Sequence, residues 1–213
     1  MSEAELRRRI VAAARSLFER GYSHGTSGNL SVRLERGGFL VSPTNMSLGD
    51  LTEDTLSRLD VEGAHLDGPP PSKEGWLHLA IYEARPQHCA IVHLHSSHAV
   101  AYSCLDGVDL EDALPPITPY SIMRCGKVVV IPYFRPGDAH FAPVLRQAAV
   151  AHHAMLLANH GLVTSGTDLS SAMGSAEELE ETCRLFFLLG DRPHHRLTAN
   201  QINELERVFG ETR

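Results

Sequence analysis

Apolar residues recur along this chain in two rhythms, and the changes between them mark out its elements. Over SEAELRRRIVAAARSLFERG (2–21), apolar positions at 6, 10, 13, 14, 17 and 18 keep a helical spacing. Ser2 and Glu5 are placed as a capping box, and Gly21 supplies the stop. From Leu30 the period shortens to two: Leu30, Val32 and Leu34 alternate, RGG makes a turn and FLVS runs back, which predicts a β-hairpin. A second hairpin is expected over SRLDVEGAHLDG (57–68). The stretch PPPSKEGWLHLAIYEARP (69–86) opens as a proline-rich loop and becomes helical. Ser72 is its N-cap, Trp76, Leu77, Ala80, Ile81 and Ala84 share one face, and Pro86 ends it. CAIVHLH (89–95), GKVVVIP (126–132), AMLLA (154–158) and GLVTSG (161–166) are apolar runs of strand length. A long amphipathic helix follows over 168–189, and TANQINELERVF (198–209) forms the last one behind a Thr198/Gln201 capping box. Strands interleaved with helices, with no repeat or linker, predict one layered α/β domain over residues 1–213.

Composition narrows the function classes. A chain of 213 residues can bury roughly 70% of its unfolded surface, so neither metal nor disulfide is needed merely to hold it together. With 43% apolar and 21% charged residues and no bilayer-length apolar run, it is expected to be soluble and not membrane-bound. Residues 1–21 carry charge throughout and lack a continuous apolar core, which argues against a secretory signal and for a cytoplasmic protein. The formal charge of -7 argues against nucleic acid as a partner, whereas a small phosphorylated metabolite can be held by local amides whatever the net charge. Cys89, Cys104, Cys125 and Cys183 are scattered without a C-x-x-C pair, so they are expected to be reduced thiols in the core.

The candidate chemistry lies in AIVHLHSSHA (90–99). With 13 His in 213 residues, about 0.8 His-x-His triplets arise by chance, so spacing alone proves nothing. On a strand, however, His93 and His95 share a face, and His160 stands at the end of another apolar run beside Gly161. Three imidazoles with one open position describe a catalytic zinc site; the alternative is independent core or surface histidines. Glu74, in the first turn of the SKEGW helix, could be a fourth, displaceable ligand or an acid/base beside the ion. His78, four residues on, is expected to hydrogen-bond to it. His98, His152, His153, His194 and His195 fall on helices or polar loops and are read as solvated or satisfied. GTSGNLS (25–31), SPTN (42–45) and PSK (71–73) are turns rich in hydroxyls and amides that suit a phosphate, or else are ordinary turns. There is no dinucleotide fingerprint and no Walker loop.

Taken in order, GTSGNLSVR, SPTN, SKE before a helix, VHLHSSHA and ANHG resemble the class II aldolase/adducin family across nearly the whole chain. SLFERGY, SPTNMSLG, LPPITPYSIMRCGKVVVIPYFRPGD and AEELEETCRLFFLLG look like the branch that decarboxylates 3-oxo-tetronate 4-phosphates. The resemblance implies a three-layer α/β/α fold with a mainly antiparallel sheet, and Zn2+ or a similar divalent ion on His93, His95 and His160. It also implies Glu74 as metal neighbour and proton carrier, and Asn29, Thr44, Asn45 and Ser72 as phosphate holders. Sugar-phosphate aldolases of the family typically carry Ser-Ser-Glu where this chain has Ser72-Lys73-Glu74, so Lys73 is assigned to the substrate carboxylate or to an exposed helix start. Tyr120 is a candidate for protonating or orienting substrate oxygens, and Arg135 and Asp138 are turn residues or an intersubunit contact. A homotetramer is implied as well. The competing activities are aldolase or epimerase chemistry on sugar phosphates, and a non-enzymatic module like the adducin heads.

Overall fold

Side-chain alternation along one sheet fills two separate cores, and the second of them seats the helix that Glu74 immediately precedes. The computed structural model describes residues 1–135, 138 and 140–209. In chain order its elements are α1 (Glu3–Glu19), β1 (Asn29–Arg33), β2 (Phe39–Val41), β3 (Ser57–Leu59), β4 (His65–Asp67), α2 (Gly75–Ala84), β5 (Ala90–Leu94) and α3 (Ser97–Ser103). There follow α4 (Pro119–Cys125), β6 (Val129–Ile131), α5 (Phe141–Ala151), β7 (Ala154–Leu157), β8 (Gly161–Gly166), α6 (Leu169–Leu189) and α7 (Ala199–Phe209). The strand order is β4-β3-β2-β1-β5-β8-β7-β6, and among the described residues every pairing is antiparallel except β6 with β7.

On one face, Leu30, Val32, Ala90, Val92, Leu94, Ala154 and Leu156 pack with Ile10 and Leu17 of α1 and Ala172 and Leu179 of α6. On the other, Phe39, Val41, Ile91, Met155 and Val163 meet Leu77 and Ile81 of α2 and Leu145 and Ala149 of α5. The result is the expected α/β/α layering. Leu77 and Ile81 are wholly buried. Each such side chain contributes roughly 1.5–3 kcal/mol, which anchors α2 against the sheet. No described helix is long and apolar enough to cross a membrane.

Three local expectations are corrected. Ser2 does accept from Glu5 N, but the Glu5 carboxylate pairs with Arg8 at 2.6 Å instead of closing the capping box. The second helix begins at Gly75, so Ser72 is not its N-cap; the Ser72 hydroxyl instead accepts from Glu74 N at 3.2 Å, tightening the turn before the helix. Only Cys125 and Cys183 lie in the core, whereas Cys89 and Cys104 are exposed, and no disulfide joins the four. The α7 box, by contrast, is reciprocal between Thr198 and Gln201.

Candidate metal centre

Pairing between β5 and β8 aims the histidines. Alternation on β5 turns Ile91 and His93 toward α2 while Ala90, Val92 and Leu94 enter the opposite core. His93 is fully buried, and its Nδ1 donates to the Leu162 carbonyl across the strand pair at 2.7 Å, which leaves Nε2 facing the site. Gly161 opens β8 with φ +156°, and a Cβ there would stand 2.3 Å from the Leu94 carbonyl oxygen. Only glycine lets the start of β8 come this close to the end of β5, and that approach brings His160 beside His95.

The four expected donors converge. His95 Nε2 lies 3.1 Å from His93 Nε2 and 3.0 Å from His160 Nε2. Glu74 offers Oε1 at 3.0 Å from His160 Nε2 and Oε2 at 3.3 Å from His93 Nε2. One ligand atom from each of the four residues lies within 4.8 Å of the others. Ligands about 2.0–2.1 Å from one ion stand roughly 3.3 Å apart at tetrahedral angles, close to these separations. Two ring nitrogens can hydrogen-bond only when one carries a proton, and in neutral His93 that proton is committed to Leu162. A shared cation satisfies all these lone pairs at once, so the donor set fits a divalent metal ion.

The electrostatics agree. Burial alone would raise the Glu74 carboxyl, but the facing His93 and His160 imidazoles outweigh it and hold the group below the usual carboxylate range. His93 is raised: burial opposes its charging, and the adjoining Glu74 overcomes that. Burial, with His93 and His160 alongside, pushes His95 down to about 3. The same anion that draws a proton onto His93 draws a cation toward its Nε2.

Glu74, His95 and His160, with His93 buried behind them, line a cleft of about 580 Å³. Its walls include Thr44, Asn45, Ser72, Lys73 and Asn29, so the three loops suspected of phosphate chemistry meet in one place. The backbone stitches them together: Thr44 N donates to Pro70 O at 3.0 Å and Ser72 N to Ser42 O at 3.1 Å. Arg135 also lines the cleft. Tyr120 does not; it sits on α4 with 59% of its surface exposed.

Residues 8–187 match the model of the Class II Aldolase and Adducin N-terminal domain. The chain belongs to that family. A 3-oxo-tetronate 4-phosphate decarboxylase of Pectobacterium atrosepticum is 48% identical over 204 residues, spanning 96% of this chain and 94% of the relative. The crystal structure of a Klebsiella pneumoniae protein described as an aldolase, epimerase or decarboxylase matches with a TM-score of 0.94 and 46% identity, covering 96% of this chain and 99% of that one. An L-fuculose phosphate aldolase of Haemophilus influenzae is 33% identical over 182 residues, spanning 84% of this chain and 81% of the relative.

Within this class II aldolase fold, two features lay beyond the sequence reading. One is an aromatic wall on the cleft, where Phe141 meets Trp76 edge-on at 5.0 Å and Phe134 at 5.2 Å. The other is the true partner of His78, which touches Ser31 and Asn29 rather than Glu74. His78 is fully buried, and burial pushes it down to about 3, so it is neutral. His98 pairs with Glu180 at 2.8 Å, and His153 Nε2 donates to the Arg124 carbonyl at 2.9 Å; both are satisfied, as expected.

Proposed function

We propose that this chain is a metal-dependent carboxy-lyase that converts 3-oxo-tetronate 4-phosphate to dihydroxyacetone phosphate and carbon dioxide. The observation that carries the reading is the convergence of three imidazoles and Glu74, with Glu74, His95 and His160 open to a cleft whose walls include hydroxyl- and amide-bearing loops. Decarboxylase relatives at 48% identity support it over the aldolase reading, whose relative stands at 33%.

His93, His95 and His160 would hold the ion with Glu74 beside it, and the nitrogen-rich set suits Zn2+. When bound, such a cation acts as a Lewis acid on the substrate ketone oxygen, worth several kcal/mol of transition-state stabilisation. Thr44, Asn45 and Ser72 anchor the phosphate, and Asn29 lines the same wall with its amide already engaged by protein groups. Lys73, which lines the cleft beside Glu74, meets the substrate carboxylate and orients it for cleavage. The bond between the carboxylate carbon and the adjacent hydroxyl-bearing carbon breaks, its electron pair passes toward the ketone, and that carbon then takes a proton from Glu74. Glu74 is an anion in the free site, so the proton it delivers must first be taken up from solvent once its imidazole partners are otherwise engaged.

Tyr120, exposed and outside the lining of the cleft of its own chain, would act on substrate oxygens only across a subunit boundary, in keeping with a homotetramer. A cytoplasmic setting suits a phosphorylated metabolite. The test is incubation with D- and L-configured 3-oxo-tetronate 4-phosphates and with L-fuculose 1-phosphate, scoring carbon dioxide against aldehyde. Carbon dioxide from a tetronate is expected; aldehyde release alone would overturn the assignment in favour of an aldolase.

A further inference from the structure

Glu74 stands at the end of a chain of buried groups in which, beyond Asn29, the functional assignments above use none. Asn29 Nδ2 donates to Glu74 Oε2 at 2.7 Å, and Asn29 Oδ1 faces His78 Nε2. His78 Nδ1 lies 2.6 Å from the Ser31 hydroxyl, which lies 2.9 Å from the Tyr82 hydroxyl. Ser31 and His78 are wholly buried, and Asn29 and Tyr82 nearly so.

The direction of every bond follows from the carboxylate. An ionised Glu74 only accepts, so Asn29 must present its NH2 there. Its Oδ1 is then left for His78, which must donate from Nε2; His78 Nδ1 must therefore accept from Ser31, and Ser31 in turn accepts from Tyr82. A flipped amide would set Oδ1 against Glu74 and NH2 against the His78 N–H, two repulsive contacts in a buried place. We infer that Asn29 is a positioning residue for Glu74 rather than chiefly a phosphate ligand, and that His78 acts through it by fixing which end of the amide meets the carboxylate. Both ends of the Asn29 side chain are committed to protein partners, leaving one N–H of Nδ2 as the donor a phosphate oxygen could take. The inference rests on the ion-binding reading of the cluster and not on the identity of the substrate.

The test compares Asn29→Ala, His78→Leu, His78→Gln and the Asn29→Ala/His78→Leu pair. Zinc affinity of the chelated protein is measured by titration calorimetry, alongside kcat and KM. Asn29→Ala is expected to weaken zinc binding by about 10–100-fold and to lower kcat with KM little changed. His78→Leu should shift both in the same direction, the pair should be no worse than Asn29→Ala alone, and His78→Gln, whose amide can still donate to Asn29 Oδ1, should recover most of the loss. Unchanged zinc affinity and kcat in Asn29→Ala, or a loss confined to KM, would overturn the positioning role. Full additivity of the pair would remove His78 from it. If His78→Leu does not fold, Asn29→Ala and His78→Gln still decide. A wild-type protein that binds no zinc would overturn the metal reading itself, which is a separate failure.

Discussion

The antiparallel β5–β8 pair has histidines gathered at both of its ends, and the two sets behave in opposite ways. At one end, ring nitrogens of His93, His95 and His160 face each other and Glu74. At the other, His88 Nδ1 meets the Ser165 hydroxyl at 2.9 Å, His88 Nε2 accepts from Arg85 Nε at 3.3 Å, and His153 donates to a backbone carbonyl. Burial does not separate them, since His88 and His93 are both almost fully enclosed. What separates them is the partner. A nitrogen that meets a hydroxyl, guanidinium or carbonyl has completed its hydrogen bonding, whereas lone pairs that meet one another are unfinished until a cation arrives.

Removing a nitrogen from the unfinished end should have the largest effect. His95→Ala is expected to lose bound metal by elemental analysis and at least ~10³-fold in turnover, as a lost Lewis acid worth several kcal/mol requires. Retention of full metal content would break the contrast between the two ends. A smaller but still large loss is expected of Glu74→Gln. Turnover should fall by ~10²–10⁴-fold, the range of a lost general acid, while the three imidazoles still hold the ion, though no more tightly than in Asn29→Ala. Wild-type turnover in that variant would exclude Glu74 as proton carrier.

The metal end was largely legible because its geometry is local: alternation on a strand couples His93 to His95, and the glycine beside His160 signals a close backbone approach. The partner of His78 was not legible, for a specific reason. The four-residue spacing rule assumes that both residues lie on one helix, and α2 starts at Gly75, so Glu74 lies outside it and turns toward β5 while His78 turns toward β1. The aromatic wall was hidden because Trp76, Phe134 and Phe141 come from α2, the segment after β6 and the start of α5, and meet only through tertiary packing. The α4 start, by contrast, carried an available signal in Thr118 followed by Pro119, a cap and first-turn proline. Within α5 the opposite holds, since Pro143 in the first turn obscures an otherwise helical run.

The smallest expected effect lies at the finished end and concerns stability alone. Burial, with Arg85 and His153 nearby, pushes His88 down to about 4, whereas in the unfolded chain it titrates near its ordinary 6.5. Between those values the unfolded state binds the extra proton, so the contribution of His88 is complete above pH 6.5. It declines as the pH falls toward 4, at up to ~1.4 kcal/mol per pH unit. Denaturant unfolding measured from pH 7.5 to 4.5 should show that decline, and His88→Gln, which cannot take up a proton, should flatten its slope while metal content and turnover near neutral pH stay at wild-type values. An equal slope in both proteins would mean that His88 is no more shielded from protons in the fold than out of it, and the two ends would then differ less than their hydrogen bonds imply.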